Sequence, residues 1–462
     1  MSLSSTIEKA FKTLLPTPFT IAVVLTIITM VLAFTLTSSE ANGVDRVIEV
    51  LGFWEQGLWN APLLVFAMQM MLMLVLGHTL ALTKPVDSVI SYATRFCNNT
   101  ANAAAIVTFL TILVALFNWG LGLIFGAILA RKVGEHAAKN DIDLNYPLIG
   151  AAGYSGLMVW HGGISGSAPI KVAEDGHITS LMSSIVSPEQ LQLLPDPVSF
   201  SETVFSPMNL VAILLVVTVL PAFMFLMGKR AGHNPFLPLV KNDFSLQTVD
   251  VSGAEKLDHS KLFGLIIGGV ISLYCAYLAI SIFPENGFGF INPNYINLLL
   301  LGLGLLLHRS FFKFLKAIDE AIGGASGILI QFPLYFGIMG IMNSSGLVQL
   351  FSDFFVSISN ETTFPIFTFI SAGIVNVFVP SGGGQWGVQG PIILQAASEL
   401  GVSIPKSIMA LAYGDQLTNM LQPFWALPLL GITGLKAKEI LPYTVALMGV
   451  GIVLFVSVLL IF

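Results

Sequence analysis

One stretch limits what this chain can fold into more than any other. Phe378-Val379-Pro380-Ser381-Gly382-Gly383-Gly384-Gln385-Trp386-Gly387 separates two apolar arms, Thr363–Val377 and Val388–Ala397. Neither arm reaches the roughly 20 residues that a spanning helix needs. A proline followed by three glycines is expected to end any helix there. Irregular backbone at membrane depth survives only when buried in protein or facing a water-filled cavity. The stretch therefore reads as the tip of a re-entrant hairpin lining a path, rather than as an exposed loop.

The membrane itself is inferred from composition. Only 10% of the 462 residues are charged and 55% are hydrophobic, with a mean hydropathy of +0.84. A soluble domain carries about 25% charged residues. The expected fold class is an all-α polytopic membrane protein surrounded by lipid. A net charge of -6 without a basic region gives no sign of a nucleic-acid partner. Cys97 and Cys275 fit no metal or redox spacing and read as packing or surface residues. Met1–Pro18 is weakly amphipathic, and Phe19–Leu36 reads as a retained span rather than a cleaved signal peptide.

Taken in order, the chain predicts spans at Phe19–Thr37, Trp59–Leu82, Phe205–Met227, Leu262–Phe283, Tyr295–Leu307, Ile322–Met342 and Tyr443–Ile461. An acidic loop (Glu40, Asp45, Glu49) follows the first. Between spans lie a hairpin over 103–130, turning at Asn118-Trp119-Gly120-Leu121-Gly122, and a broken helix over 146–170, interrupted at His161–Pro169. A second hairpin occupies 363–398 and a second broken helix 406–432, interrupted around Gly414–Pro423. The order span, hairpin, broken span, span occurs twice. This predicts an inverted-topology repeat, with halves 1–228 and 262–462 joined by a cytoplasmic linker, 229–261. Sites are expected at the midplane between such halves. If both hairpins return to the side they came from, all Lys and Arg except Arg46, Lys171 and Lys406 fall inside, Lys9, Lys12 and Lys241 among them. That places the N-terminus in the cytoplasm and the C-terminus outside.

The breaks carry the chemistry. Their small polar residues are Asn118; Ser165 and Ser167; Asn376 and Ser381 with Gly382, Gly383 and Gly384; and Thr418 and Asn419. Amides at half-helix N-termini suit an anion, and opposing carbonyls suit Na+, near Asn118, Asn376, Ser381 and Asp415. No other cofactor is implied. No Arg or Lys lies in a break, which favours a monocarboxylate over a multiply charged substrate. Phe332, Trp386, Phe424 and Trp425 could pack a short aliphatic tail. Asp415 would cost about 2.5–3.5 kcal/mol at the bilayer centre, so it reads as a coupling residue, with His161 as its partner or relay. Each of these residues also has a bland reading: helix kinks or close packing for the glycines, helix capping for Ser and Asn, a paired or capping acid for Asp415, and a packing residue for His161. An intramembrane hydrolase built on Ser165 and His161, and a channel, are the competing functions.

Asn118 to Gly122, Trp160 to Pro169, Phe378 to Pro391 and Ala412 to Leu427 together resemble the bacterial short-chain fatty acid transporters, which take up acetoacetate and butyrate. Leu15 to Phe19, Gln331-Phe332-Pro333 and Gln422 to Pro428 extend the likeness over nearly the whole chain. His161 stands where the family pattern has glycine, Gln385 where it has histidine and Asp415 where it has glutamate. The resemblance implies no enzymatic activity. It implies cation-coupled import of a short-chain monocarboxylate across the cytoplasmic (inner) membrane by a homodimeric elevator. In such a machine the hairpins and broken helices move against a scaffold.

Overall fold

The computed structural model describes residues 17–183, 187–192, 194–236, 253–286, 290 and 293–462. The N-terminal stretch with Lys9, Lys12 and Leu15, and the part of the linker that holds Lys241, lie outside the described residues. The structured chain is helical, and seven of its described helices are long and apolar enough to cross a membrane. They begin with Pro18–Leu36 and end with Ala437–Ile461.

Several boundaries differ from the sequence reading. The acidic stretch after the first span is an amphipathic helix, Val44–Leu58. It is pinned by Arg46, which is 5% exposed, pairs with Glu49 and donates to the Ala33 carbonyl at 3.0 Å. The polar loop after the first broken helix contains short helices, Ser167–Val172 and His177–Met182, and Leu347–Ser357 precedes the second hairpin.

Both hairpins turn more tightly than expected. The first consists of Thr100–Phe117 and Trp119–Lys139, with Asn118 as the one residue between them. The arms are antiparallel, since Gly122 lies against Ala115 and Gly126 against Thr111. Asn118 enforces the reversal by accepting the Leu121 N–H at 3.0 Å, so that it caps the second arm. The second hairpin consists of Phe364–Phe378 and Gly382–Leu400. Its three glycines do not end a helix; they form its first turn. Ser381 caps that turn by accepting the Gly384 N–H at 3.2 Å, and the missing side chains allow close approach to the elements opposite.

The two broken helices face each other. The first runs Tyr146–Tyr154, then irregularly through two 3-10 turns to Ser167–Val172. The second runs Ile404–Thr418, turns at Asn419–Leu421, and resumes at Leu427–Thr433. The Tyr146 hydroxyl donates to the Thr433 carbonyl at 3.0 Å, the Tyr154 hydroxyl to Asn419 O at 2.9 Å, and Gln416 meets His161. Numbers rise on one side as they fall on the other, so the pair is antiparallel with breaks at one level. Helix persists through Gly414, which brings the chain against the Phe369 carbonyl where a Cβ would not fit. Asp415 therefore sits in the last helical turn, not in the break itself.

Packing sorts the helices into two groups. Val44–Leu58 lies on Ser326–Ser344, and Pro293–His308 on Lys261–Asn286 and Ala61–Ala81. The hairpins and broken helices pack with Pro207–Arg230 and Ala437–Ile461. The groups meet across small and aromatic residues: Gly120 on Met73, Gly324 on Gly431, and Phe332 stacked on Phe424 at 4.0 Å. Among the described residues, Arg131 reaches across this seam. Arg131 bonds Glu135 and the Ile432 carbonyl within its own group, and His78 Nε2 at 3.0 Å in the other.

Candidate functional site

The four breaks converge. Leu116 O accepts the Ile164 N–H at 2.8 Å, and Ser165 Oγ accepts the Trp119 N–H at 2.9 Å, which joins the first hairpin to the first broken helix. Asn376 joins the second hairpin to the second broken helix. Its Nδ2 lies 2.7 Å from Asp415 O, 2.9 Å from Thr418 Oγ1 and 3.0 Å from Asn419 Oδ1. Asn419 in turn donates to Leu157 O at 3.1 Å, across to the other half.

At the centre, His161 Nδ1 faces Asp415 Oδ2 at 3.4 Å. His161 is 0% exposed and Asp415 1%. Neither atom makes a hydrogen bond. His161 Nε2 accepts the Ala168 N–H at 3.0 Å. A ring nitrogen that accepts carries no proton, so the neutral ring holds its proton on Nδ1, toward Asp415. Gly382 closes over the pair. A Cβ there would lie 2.8 Å from Trp160 Cη2, 2.9 Å from His161 Cε1 and 3.3 Å from Asp415 Oδ2. Gly383 faces Ser167, and Gly384 faces Met339 of the other packing group.

Not every expected residue joins this cluster. Trp386 is turned away into a second apolar core with Ile178, Met182 and Leu394, where its Nε1 donates to His177 Nε2 at 3.0 Å. The residues named for Na+ fall into two places: Asn118 sits on the Ser165 side, whereas Asn376 and Ser381 sit on the Asp415 side. Ser165 is engaged by Trp119 and His161 by Ala168, so the nucleophile–base pair of a hydrolase is not formed.

Sequence reasoning passed over the residues that brace the breaks. Gln416 Oε1 accepts the N–H groups of both His161 and Gly162, at 2.8 and 3.2 Å. Asn209 donates to Gly162 O at 2.8 Å and accepts the Tyr413 hydroxyl at 2.8 Å. Thr444 donates to Met420 O at 2.7 Å. The available signal was a polar side chain within an apolar helix, which in lipid must find a partner inside the protein.

Residues 1–462 match the family described as short chain fatty acid transporter. The chain belongs to that family. Two relatives, from Escherichia coli strain K12 and Haemophilus influenzae Rd, are each named "Putative short-chain fatty acid transporter". The first is 38% identical over 95% of this chain and 94% of its own. The second is 36% identical over 93% and 92%. The crystal structure of the Alcanivorax borkumensis YdaH transporter aligns over 96% of this chain and 98% of its own at 15% identity, with a TM-score of 0.45. By its family and its two relatives the protein is a transporter and not an enzyme, its apolar helices make it a multi-span membrane protein, and the convergent breaks are its candidate substrate site.

Proposed function

We propose that the transporter imports short-chain monocarboxylates, butyrate and acetoacetate among them, across the bacterial inner membrane by cation-coupled secondary transport. The observation that carries this reading is the enclosed His161–Asp415 pair beneath Gly382, at the meeting point of four helix breaks. A carboxylate anion entering a cell works against the inside-negative potential by about 2.3 kcal/mol per charge per 100 mV, so a cation must accompany it. Asp415, in the last helical turn before the second broken helix's interruption, is the acid beside the breaks, and the breaks contain no Arg or Lys. Substrate is received by the small polar residues and amides of the breaks: Asn118, Ser165, Ser167, Ser381 to Gly384, Thr418 and Asn419.

Two cations suit the residues present. A proton would be taken by Asp415, since His161 Nε2 is already committed as an acceptor. Na+ would suit Asn376 Oδ1, which has no hydrogen-bond partner, and would have to compete with the Asn376 amide for Asp415 O, Thr418 Oγ1 and Asn419 Oδ1, which accept from its Nδ2. The two hairpins are read as re-entrant from opposite faces, and the halves as an inverted repeat with the N-terminus inside. The hairpin group slides as an elevator along the glycine- and aromatic-lined seam, against a scaffold that makes the homodimer contact.

The test is uptake of labelled butyrate into proteoliposomes under an imposed Na+ gradient or an imposed pH gradient, with protein-free liposomes as baseline. Saturable accumulation above baseline under one gradient supports the reading and identifies the cation. Its absence under both removes monocarboxylate transport.

A further inference from the structure

The residues expected to hold an aliphatic tail do not all have room for one. Phe332 and Phe424 are 0% and 1% exposed and stack on each other at 4.0 Å; Trp386 belongs to another core. The aromatic cluster continues beside the breaks, from Phe332 to Phe66 at 6.2 Å and from Phe424 to Trp425 at 5.0 Å. Trp119, the residue after the first hairpin's turn, lies 5.9 Å from Trp160 of the first broken helix, 5.3 Å from Trp425 of the second, and 6.2 Å from Phe66 of the Ala61–Ala81 span. Phe66 also meets Trp425 edge-on at 6.0 Å and 79°.

Exposure is unequal within this cluster. Trp160 and Trp425 are each 5% exposed, whereas Phe66 and Trp119 are only half-buried. The open aromatic surface is therefore that of Phe66 and Trp119. Trp160 adds a polar handle: its indole Nε1 is buried and has no hydrogen-bond partner, although a buried indole N–H usually has one. Its far edge lies against Gly382 at the hairpin tip. An apolar surface beside a few placed polar groups is the usual form of a small-molecule site.

We infer that Phe66 and Trp119 form the tail subsite of this transporter and set the acyl-chain length it accepts, with the carboxylate held at the breaks. The inference rests on the monocarboxylate reading above and adds the determinant of selectivity. Phe66 and Trp119 come from the two different packing groups, so the subsite is complete only when these are in register. Each methylene buried on such a surface changes affinity about fourfold.

The experiment is inhibition of labelled-butyrate counterflow in proteoliposomes by unbranched monocarboxylates from acetate to octanoate. It compares the unsubstituted protein with Phe66→Ala, Phe66→Trp and Trp119→Ala. Truncation at either position is expected to shift the preferred length upward by one or two methylenes, a change of about fourfold to sixteenfold in the hexanoate-to-butyrate ratio. Phe66→Trp is expected to shift it downward. Thermal stabilisation of the detergent-solubilised variants by the same acids reads the same ratio without transport. Unchanged ratios in all three variants would overturn the inference while leaving transport intact. Absence of saturable butyrate counterflow by the unsubstituted protein would instead remove the reading on which it rests.

Discussion

His161 Nδ1 and Asp415 Oδ2 lie 3.4 Å apart, both shielded from water, with Gly382 of the second hairpin directly over them. The orientation of the ring is fixed from behind by the Ala168 N–H, and the backbone beneath it by Gln416. The pair thus joins the first broken helix, the second broken helix and a hairpin tip in one contact.

Asp415→Asn is expected to abolish concentrative uptake while leaving folding and counterflow measurable. Asn keeps the size of the side chain and removes its charge. Uptake against a gradient, measured beside size-exclusion elution of the purified variant, checks this. Full accumulation by the variant would remove Asp415 from coupling.

Gly382→Ala is expected to lower the transport rate by about fivefold or more. The added methyl meets Trp160, His161 and Asp415 at 2.8–3.3 Å, and overpacking of this kind costs about 1–3 kcal/mol. A methyl on Gly387 meets nothing within 4 Å, so Gly387→Ala serves as the control. Equal rates for the two variants would show that the closeness at Gly382 is unimportant.

Gln416→Ala is expected to destabilise the protein by about 1–3 kcal/mol, because it leaves the His161 and Gly162 N–H groups buried without an acceptor. Gln416→Glu restores an acceptor and should recover much of that loss. Thermal unfolding in detergent compares the two. An alanine variant as stable as the unsubstituted protein would contradict the bracing role.

Acidification is expected to loosen the polar loop that follows the first broken helix. His177 lies outside the spans. Burial, with Lys171 nearby, lowers its pKa despite the opposing influence of Glu174 and Asp196. Its Nε2 must be unprotonated to accept the Trp386 N–H. A folded-state pKa below the unfolded one means that the unfolded chain binds protons first. The stabilisation is therefore complete above the ordinary histidine range and is lost as pH falls through the lower folded value. Hydrogen exchange over His177–Met182 as a function of pH measures it. The same pH dependence in His177→Gln would exclude His177 as the source.

The sequence was most legible where apolar length was the signal. Six of the expected spans and the Asn118 turn follow from counting apolar residues between breaks; the count fails for Pro293–His308, which is shorter than a span, and for Thr100–Phe117, a hairpin arm long and apolar enough to cross. It was least legible where a residue type has two uses. Gly382 to Gly384 and Gly414 read as helix breakers, yet in the fold they lie within helices and permit close contact. Propensity alone cannot separate these uses, because the deciding neighbour is distant in the chain, as the Phe369 carbonyl is from Gly414. Trp386 shows the same limit. Its place in the second hairpin suggested the substrate path, but its partner is a histidine of the polar loop 209 residues away. The likeness to a known family pointed to the breaks, but not to the side chains that brace them.

The antiparallel pairing of the broken helices also bears on how the chain is made. The amide of His161 finds its acceptor on Gln416, 255 residues later, and the Leu157 carbonyl waits for Asn419, 262 residues later. At roughly 5–20 residues per second of synthesis, that is a delay of about 10–50 s. Throughout that interval the His161 amide and the Leu157 carbonyl are without these partners. The first broken helix therefore gains these two braces only after the second half of the chain has been made.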